Sequence, residues 1–275
     1  MELGVHGLNT RSVIGPADTA ALARRAEQLG YGSWWTADHV VLPTSVEAET
    51  VVDPLVHLGF VAAVTSRIEL ATGVLILPQR NPLVLAKQAA SLDVLSGGRL
   101  RLGVGAGWQR EEMTAVGVPF TQRGRLTDEH IDAMRALWRH EVQPYHGEHV
   151  SFADVDALPK PLTDGGPHLV VGGHSAAALR RALTKAHGWY GIGNGPDDLA
   201  RHLAALRDVR ADVDRPAHLG ELEVSFMHMG AATLTDDTAR RYADLGLDRL
   251  VVYPLPIGDA ASVTAFLERH ADLPR

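Results

Sequence analysis

A helical segment that ends at a glycine and is followed by an apolar strand occurs four times in the chain. The four stretches are AEQLGYGSWWTA, DVLSGGRLRLGVG, LTKAHGWYGIG and YADLGLDRLVVYP. In each of them one glycine, Gly30, Gly97, Gly188 or Gly246, stands where helices commonly end in a left-handed residue. Strands that repeatedly follow helices after such short turns predict a parallel sheet with helices packed on it.

Eight strands and eight helices alternate when the whole chain is read in this way. Prolines after Gly15, Asp53 and Asn81, and acidic residues after Thr235, mark helix starts. Strands are predicted near residues 2–8, 32–37, 68–76, 99–105, 168–172, 188–193, 221–228 and 248–253, and helices near residues 16–29, 54–65, 82–95, 123–139, 175–186, 196–209, 236–245 and 259–269. Eight such units within about 250 residues predict an α/β fold of the (β/α)8 TIM barrel type. A doubly wound sheet is the alternative.

One long interval breaks the regular spacing of the units. Residues 140–167 separate the fourth predicted helix from the fifth predicted strand. We predict an insertion there, with room for a short hairpin, and no domain boundary. Residues 1–275 are therefore expected to form a single barrel domain.

Composition and charge exclude several classes of protein. The net charge of −7 argues against nucleic acid as a partner, because phosphate binding needs a basic surface. Cysteine is absent, which excludes disulfides, thiolate catalysis and cysteine-ligated metals. The start of the chain lacks the pattern of a signal peptide, and charged residues interrupt the most apolar region, residues 51–78. We therefore expect a cytoplasmic protein that does not bind membranes.

The stretch RLRLGVGAGW, residues 99–108, has a glycine at every second position from Gly103 to Gly107. It is not a dinucleotide-binding fingerprint, because Trp108 stands where that motif needs its third glycine. Glycines at alternate positions leave one face of a strand without side chains, so that a flat ligand can lie against it. Crowding inside the barrel is the other explanation, and it suits Gly103 best.

Ligands of such a barrel bind where the strands end. The predicted strand ends carry no lysine, which disfavours Schiff-base chemistry. Their histidines lie on separate strands without clustered carboxylates, so no metal site is predicted. Glu111 and Glu112 begin a helical stretch and are expected to be solvated. A site of glycines and apolar side chains indicates that a cofactor carries the reaction.

Several segments carry a specific family resemblance. TADHV follows the second predicted strand, ATGVLILPQRNPLVLAKQAASLDVLSGGRLRLGVGAGW spans the third and fourth, and LVVGGHS and GWYGIG cover the fifth and sixth. Over residues 3 to about 195 the chain resembles the luciferase-like monooxygenase superfamily, and most of all its coenzyme F420-dependent oxidoreductases. The resemblance implies a (β/α)8 barrel with an insertion, a homodimer, and hydride transfer between C5 of the deazaflavin and an unidentified organic substrate.

The same resemblance implies which residues contact the cofactor. The family often has a cis peptide where this chain has Gly73-Val74, pressed on the rear face of the ring. The turn that opens the helix after the fifth strand is expected to hold the phosphate, and Arg80 is a candidate partner for the anionic tail. The full predicted set is Gly73, Val74, Arg80, Gly105, Ala106, Gly107, Gly172, Gly173, His174, Ser175, Gly191, Ile192 and Gly193.

Asp38 and His39 form the predicted catalytic pair. In the family the matching histidine stands near the reactive ring carbon, and an imidazole suits proton transfer near neutral pH. Asp38 either orients His39 or caps a loop, since adjacent strand residues point to opposite faces. Trp108 stands where members that dehydrogenate sugar phosphates carry an acid, so it predicts an apolar or aromatic substrate. His6, at the end of the first strand, is also expected to contact the substrate.

The sequence is also compatible with two other functions. The barrel could use FMN and oxygen as a monooxygenase, or it could bind a cofactor without catalysing a reaction. FMN ends at its phosphate, whereas F420 continues into lactate and glutamates. No arginine stands beside Gly172-Gly173 in the sequence to neutralise a terminal phosphate, which favours F420 over FMN.

Overall fold

Eight parallel strands close into a barrel in the computed structural model, which describes residues 1–44, 50–230 and 234–274. In chain order the strands are β1 (Glu2–His6), β2 (Ser33–Thr36), β3 (Glu69–Thr72), β4 (Leu75–Ile76), β5 (Leu100–Gly105), β6 (Tyr145–His146), β7 (Ser151–Phe152), β8 (His168–Gly172), β9 (Gly188–Gly193), β10 (Glu223–His228) and β11 (Arg249–Val252). The barrel runs β1-β2-β3-β5-β8-β9-β10-β11, and β11 pairs back with β1. This closed order confirms the predicted TIM barrel and excludes the doubly wound sheet.

Helices cover the outside of the barrel. They are α1 (Pro16–Gln28), α2 (Pro54–Val64), α3 (Pro82–Ser96), α4 (Arg110–Ala115), α5 (Arg123–Trp138), α6 (Ala176–Lys185), α7 (Pro196–Arg210), α8 (Asp236–Asp244) and α9 (Ala260–His270). Eight of them match the predicted helices to within one or two residues at each end. The short α4, which follows β5, is additional.

Local sequence signals explain why these helices begin and end where they do. The side chains of Asp53 and Asn81 each accept hydrogen bonds from two backbone amides in the first turns of α2 and α3. Gly30, Gly97 and Gly246 have positive φ beyond the ends of α1, α3 and α8, as predicted. The prediction that Gly188 ends a helix in a left-handed conformation is wrong. Gly188 is the first residue of β9, and α6 ends earlier, at Lys185.

The third predicted strand is broken into two pieces. The prediction placed one strand over residues 68–76, whereas the structure has β3, an interruption, and then β4. The interruption is at Gly73-Val74, whose peptide bond is cis, as the family resemblance implied. After the break β4 pairs with the far end of β5, through Leu75 with Val104.

The insertion forms the short hairpin that the sequence indicated. β6 and β7 pair antiparallel and stand apart from the barrel sheet. The carboxylate of Glu129 on α5 accepts hydrogen bonds from the amides of His149 and Val150, at 2.7 and 2.6 Å. The insertion is thereby attached to the outer helical layer.

Two apolar clusters stabilise the fold, one on each side of the barrel wall. Trp34 belongs to the large cluster between strands and helices, whereas Trp35 points into the barrel and stacks on Tyr190 at 4.6 Å. Both tryptophans are fully buried. In the described part of the chain, no helix has both the length and the apolar character needed to cross a bilayer.

Candidate active site

An open cleft of about 710 Å³ lies at the end of the barrel where the strands finish. Pockets for small ligands typically measure roughly 300–1,000 Å³, so the cleft is in the range of a ligand site. Most of the residues that the sequence singled out line it, namely His6, Asp38, His39, Gly73, Val74, Gly105, Ala106, Gly107, Trp108, Gly172, Gly173, His174, Ser175 and Ile192.

Gly191 and Gly193 do not line this cleft, although the sequence analysis placed both beside the cofactor. A Cβ at Gly191 would collide with the ring of Trp189, and one at Gly193 would lie 2.7 Å from Phe226. Both glycines therefore make room for buried aromatic side chains. The structure gives them a packing role, and their contact with the cofactor stays a prediction.

Val74 forms the floor of the cleft and explains two of its glycines. A Cβ at Gly105 would lie 2.7 Å from Val74 Cγ2, and a Cβ at Gly172 would lie 2.7 Å from Val74 Cγ1. The valine side chain therefore fits between β5 and β8 only because both positions lack side chains. The alternate glycines of β5 admit this side chain of the protein itself, and the cleft lies above it.

The other two glycines of the β5 stretch have their own reasons. A Cβ at Gly103 would collide with the carbonyl oxygen of Thr72, which confirms the predicted crowding inside the barrel. Gly107 has a φ of +75°, and its Cβ would lie 2.7 Å from Ile76 Cγ2. Gly107 thus combines a left-handed backbone with a close contact, and it also lines the cleft.

His39 is held by a carboxylate that the sequence analysis placed in solvent. Its Nδ1 lies 3.1 Å from Glu112 Oε2, and the amide of Val40 donates to Glu112 Oε1 at 2.6 Å. The Glu112 side chain has no solvent exposure, and the His39 side chain is 19% exposed. The expectation of a solvated Glu112 is therefore wrong, because α4 folds back against the residues that follow β2.

The charge of Glu112 follows from these contacts. Burial raises the pKa of its carboxyl group, but the hydrogen bonds from His39 and Val40 lower it by a larger amount. The pKa of Glu112 therefore lies below its ordinary value. Glu112 is thus an anion at neutral pH, in contact with the imidazole that lines the cleft. No local pattern in the sequence could have revealed this pair, since 73 positions separate its members.

Asp38 has a different partner from the one that its position beside His39 suggested. Its Oδ1 accepts from Arg80 Nη2 at 2.8 Å, and its Oδ2 accepts from the Ile76 amide at 2.8 Å. Arg80 also donates to Asp53, at 3.0 Å. Asp38 thus fixes the loop after β4, which confirms the loop-capping alternative, and Arg80 is occupied by two carboxylates instead of facing a ligand.

His6 lies deep in the cleft in a neutral form. Its Nδ1 is 3.1 Å from the hydroxyl of Tyr190, and the ring of Tyr253 packs edge-on against it at 5.2 Å. Burial lowers the pKa of His6 to about 3. A neutral imidazole at this position can donate or accept a hydrogen bond but carries no charge.

The far end of the cleft is formed by the start of α6. Ser175 caps this helix by accepting a hydrogen bond from the Ala178 amide, as expected for a helix start. The amide of Ile192 donates to His174 Nε2 at 3.1 Å. Free amides and the positive end of the helix make this a suitable place for an anionic group.

Two arginines line the same end of the cleft, and the sequence analysis missed both. Arg181 forms two hydrogen bonds with the carboxylate of Asp128, at 2.8 and 2.9 Å. Arg123 instead donates to the backbone carbonyls of Gly107 and Phe120. The sequence did carry a signal for Arg123. A cation in the first turn of a helix opposes the helix dipole, so an arginine at this position indicates a role other than helix stability.

Trp108 stands exposed at the mouth of the cleft. The residue is 70% exposed, and its ring packs edge-on against His39 at 6.2 Å. An indole in this position presents an apolar wall beside the imidazole. Among the described residues, no group of three or more His, Asp or Glu side chains forms a set of metal ligands.

Comparison with known proteins identifies the family. Residues 2–271 match the family model described as luciferase-like monooxygenase. The chain belongs to the luciferase-like monooxygenase family. An uncharacterised protein of Mycobacterium tuberculosis is 33% identical to it in an alignment of 277 residues that covers 92% of each chain.

Relatives with a named activity in the luciferase-like family use two kinds of cofactor. An F420-dependent glucose-6-phosphate dehydrogenase of Amycolatopsis mediterranei is 32% identical over 164 residues, which cover 58% of this chain and 49% of that protein. An FMNH2-dependent dimethylsulfone monooxygenase of Pseudomonas putida is 30% identical over 148 residues, covering 53% and 40%. A flavin or deazaflavin is therefore the cofactor class of this family.

Solved structures of the family agree over nearly the whole chain. An F420-dependent secondary alcohol dehydrogenase superposes with a TM-score of 0.79 at 16% identity, over 99% of this chain and 98% of that one. The monooxygenase RslO1 of Streptomyces bottropensis superposes with a TM-score of 0.78 at 21% identity, over 99% and 98%. At such identities the likeness establishes the shared fold.

Proposed function

We propose that this protein is an F420-dependent oxidoreductase, which transfers a hydride between C5 of the deazaflavin and an organic substrate. The observation that carries the proposal is the His39–Glu112 pair at the edge of a cleft whose floor is Val74. Hydride transfer at a carbon that bears oxygen needs a proton to be removed from, or added to, that oxygen. A histidine held by a buried carboxylate suits this exchange.

The residues of the cleft fit a planar cofactor with an anionic side chain. Val74, whose side chain fills the space left by Gly105 and Gly172, offers an apolar floor, and the start of α6 with Arg123 offers a positive end. When bound, the deazaflavin supplies the hydride-accepting or hydride-donating carbon. The chain supplies the surface that orients the ring, the imidazole that moves the proton, and an indole that keeps water from one side of the substrate.

The same proposal includes a substrate class, which follows from the side chain exposed at the mouth of the cleft. Trp108 is the exposed side chain next to His39, and it is apolar and aromatic. An alcohol or carbonyl compound with an apolar or aromatic body would pack on it, whereas a sugar phosphate would not. We therefore expect apolar substrates to be preferred over charged ones in a broad panel.

Binding of the two cofactors to the purified protein tests the proposal. Fluorescence quenching should give a lower Kd for F420 than for FMN. Tighter binding of FMN, or FMN that co-purifies at full occupancy, would overturn the proposal and favour the oxygen-dependent monooxygenase. Binding of F420 with no turnover across the panel would point to a cofactor-binding barrel without catalysis.

The resemblance to the family implies a homodimer, and the sequence pattern predicts a cytoplasmic location. We propose both for this chain. Sedimentation equilibrium at micromolar concentration should give twice the mass of one chain. Cell fractionation tests the location. A single-chain mass under these conditions would remove the dimer from the proposal.

A further inference from the structure

Arg123 differs from the two other arginines at or beside the cleft in its partners. Arg80 is bound by Asp38 and Asp53, and Arg181 is bound by Asp128. Their charges are therefore balanced within the protein. Arg123 has no carboxylate within 4.0 Å among the described residues, and its hydrogen bonds go to backbone carbonyls.

The Arg123 guanidinium is fixed on three sides. Its Nε donates to the Gly107 carbonyl at 3.2 Å, and its Nη1 donates to the Phe120 carbonyl at 2.8 Å. Its central carbon lies 3.8 Å from the centre of the Phe120 ring. Nη2 has no hydrogen-bond partner in the part of the chain that the structure describes. A guanidinium anchored in this way keeps one donor edge oriented with little loss of side-chain entropy on binding.

The position of Arg123 relative to α6 adds to this charge. Arg123 opens α5, and the next residue, Gly124, accepts a hydrogen bond from Arg181 of α6 at 3.0 Å. This contact places the beginning of α5 beside α6, whose first residues line the cleft together with Arg123. An unbalanced cation and the amide end of a ten-residue helix therefore line the same cleft, on helices that are in contact.

We propose that Arg123 binds the phosphate of the cofactor's side chain and supplies its counter-charge. This inference rests on the proposed function only in that a flavin-type cofactor fills the cleft, because F420 and FMN both carry a phosphate on the ribityl chain. Arg123 at the phosphate is distinct from Arg80, which the sequence suggested as a partner of the anionic tail. It acts on the anionic side chain and not on the ring.

Two pairs of ligands test this role in a binding experiment, and the second pair isolates the phosphate. F420 is compared with the corresponding deazariboflavin, which lacks phosphate and tail, and FMN is compared with riboflavin. In Arg123→Gln the Kd for the phosphorylated ligand should rise about 10-fold or more, while the Kd for its phosphate-free partner should change less than about 2-fold. The ratio of the Kd values of the two ligands in each pair should also depend less on salt concentration in the variant than in the wild type.

Arg125→Gln is the matched control, because Arg125 lies on the same helix and meets only the exposed Glu148, at 3.5 Å. It should leave all four Kd values unchanged. If Arg123→Gln does not fold, Arg123→Lys replaces it, with a smaller loss, of about 3-fold, confined to the phosphorylated ligands.

Three results would overturn the proposal. They are equal losses for phosphorylated and phosphate-free ligands, unchanged Kd values in the Arg123 variant, and a wild-type protein that binds none of the four. Tighter binding of FMN than of F420 by the wild type would instead refute only the proposed cofactor. The role of Arg123 would then be measured with FMN and riboflavin.

Discussion

Glu111 and Glu112 are neighbours in the chain, yet their surroundings are opposite. Glu111 is exposed, whereas the carboxylate of Glu112 is buried and accepts hydrogen bonds from His39 and Val40. An anion at Nδ1 fixes the proton on that nitrogen and stabilises the charged imidazolium. In the proposed function Glu112 is therefore a positioning residue that acts through His39, the residue proposed to meet the substrate.

Replacing Glu112 by glutamine removes the charge and keeps the shape. Turnover should fall roughly 10-fold or more, because the amide no longer stabilises the imidazolium. The limb of the pH–rate profile that belongs to the imidazole should move to lower pH. Cofactor Kd values should stay within a few-fold. Glu111→Gln is the control and should behave as the wild type does. A normal rate and profile in Glu112→Gln would exclude the positioning role.

His39→Ala tests the group that Glu112 holds. If His39 moves the proton, turnover should fall about 100-fold or more, with the Kd for F420 changed by no more than a few-fold. Steady-state kinetics and fluorescence titration on the same preparation separate the two quantities. An unchanged turnover number would remove His39 from the mechanism.

At the scale of the elements, β4, β5 and β8 fit together through one valine and two glycines. Gly105→Ala should destabilise the fold by roughly 1–3 kcal/mol, because the new methyl group overlaps Val74 Cγ2, which is 2.7 Å away. Val74→Ala removes the overlapping atom, so the two changes together should cost less than the sum of the single ones. Urea unfolding of the four proteins gives this interaction free energy.

Gly103→Ala is the comparison that Val74→Ala should not rescue. Its Cβ would collide with the carbonyl oxygen of Thr72, which is backbone and cannot move aside. The loss of stability should therefore be larger than for Gly105→Ala and the same in the presence of Val74→Ala. Rescue of both glycine variants by Val74→Ala would show that this account of the β5 glycines is wrong.

How far the sequence predicts these elements depends on the range of the interactions that define them. Asp53 and Asn81 cap α2 and α3 through bonds to residues two and three positions away, so helix starts can be read from the sequence. The break at Gly73-Val74 and the burial of Glu112 depend on contacts between distant segments. Only the family resemblance pointed to the first of these, and nothing in the sequence pointed to the second.

The same distinction between local and long-range contacts separates the parts of the candidate site that the sequence predicts from those it does not. The glycine turns after β5 and β8 were found because the chain order and the fold class together place strand ends at one face. The partners of the charged residues were not predicted, because the sequence does not show which carboxylates or carbonyls lie beside Arg80, Arg123 and Arg181. Only the three-dimensional arrangement shows which arginine keeps an unbalanced charge.

At the scale of the whole molecule, the two ends of the barrel differ. The end opposite the cleft is filled by ion pairs, in which Arg101 and Arg249 bind Glu69 and Glu223. The side chain of Arg249 is only 3% exposed. In TIM barrels this end usually contributes to stability, whereas the end at which the strands finish, where the cleft lies here, usually carries the chemistry.

Buried neutral histidines make the stability of this molecule depend on pH. Burial lowers the pKa of His6 to about 3 and that of His57 to about 4. In the unfolded chain such a histidine binds a proton near pH 6.5, whereas the folded chain excludes it. The stabilisation is therefore complete above about pH 6.5 and decreases as the pH falls toward 4. The linkage amounts to about 2 kcal/mol per histidine at pH 5.

His57→Gln tests this linkage at one position outside the cleft. His57 Nε2 accepts a hydrogen bond from the indole of Trp34 at 3.3 Å, and a glutamine oxygen can replace that acceptor without titrating. The free energy of unfolding, measured with urea at pH 7.5 and pH 5, should fall less in the variant than in the wild type, by about 2 kcal/mol. His140→Gln is the control, since His140 is 76% exposed, and it should keep the full wild-type decrease. Glu27 does not contribute to this decrease. Burial raises the pKa of its carboxyl group, but its hydrogen bonds lower it by more, to about 2. Its stabilisation is therefore lost only as the pH falls below the ordinary pKa of 4.5, which is outside the range from pH 7.5 to pH 5. An equal decrease in His57→Gln and the wild type would show that protonation of His57 does not oppose folding.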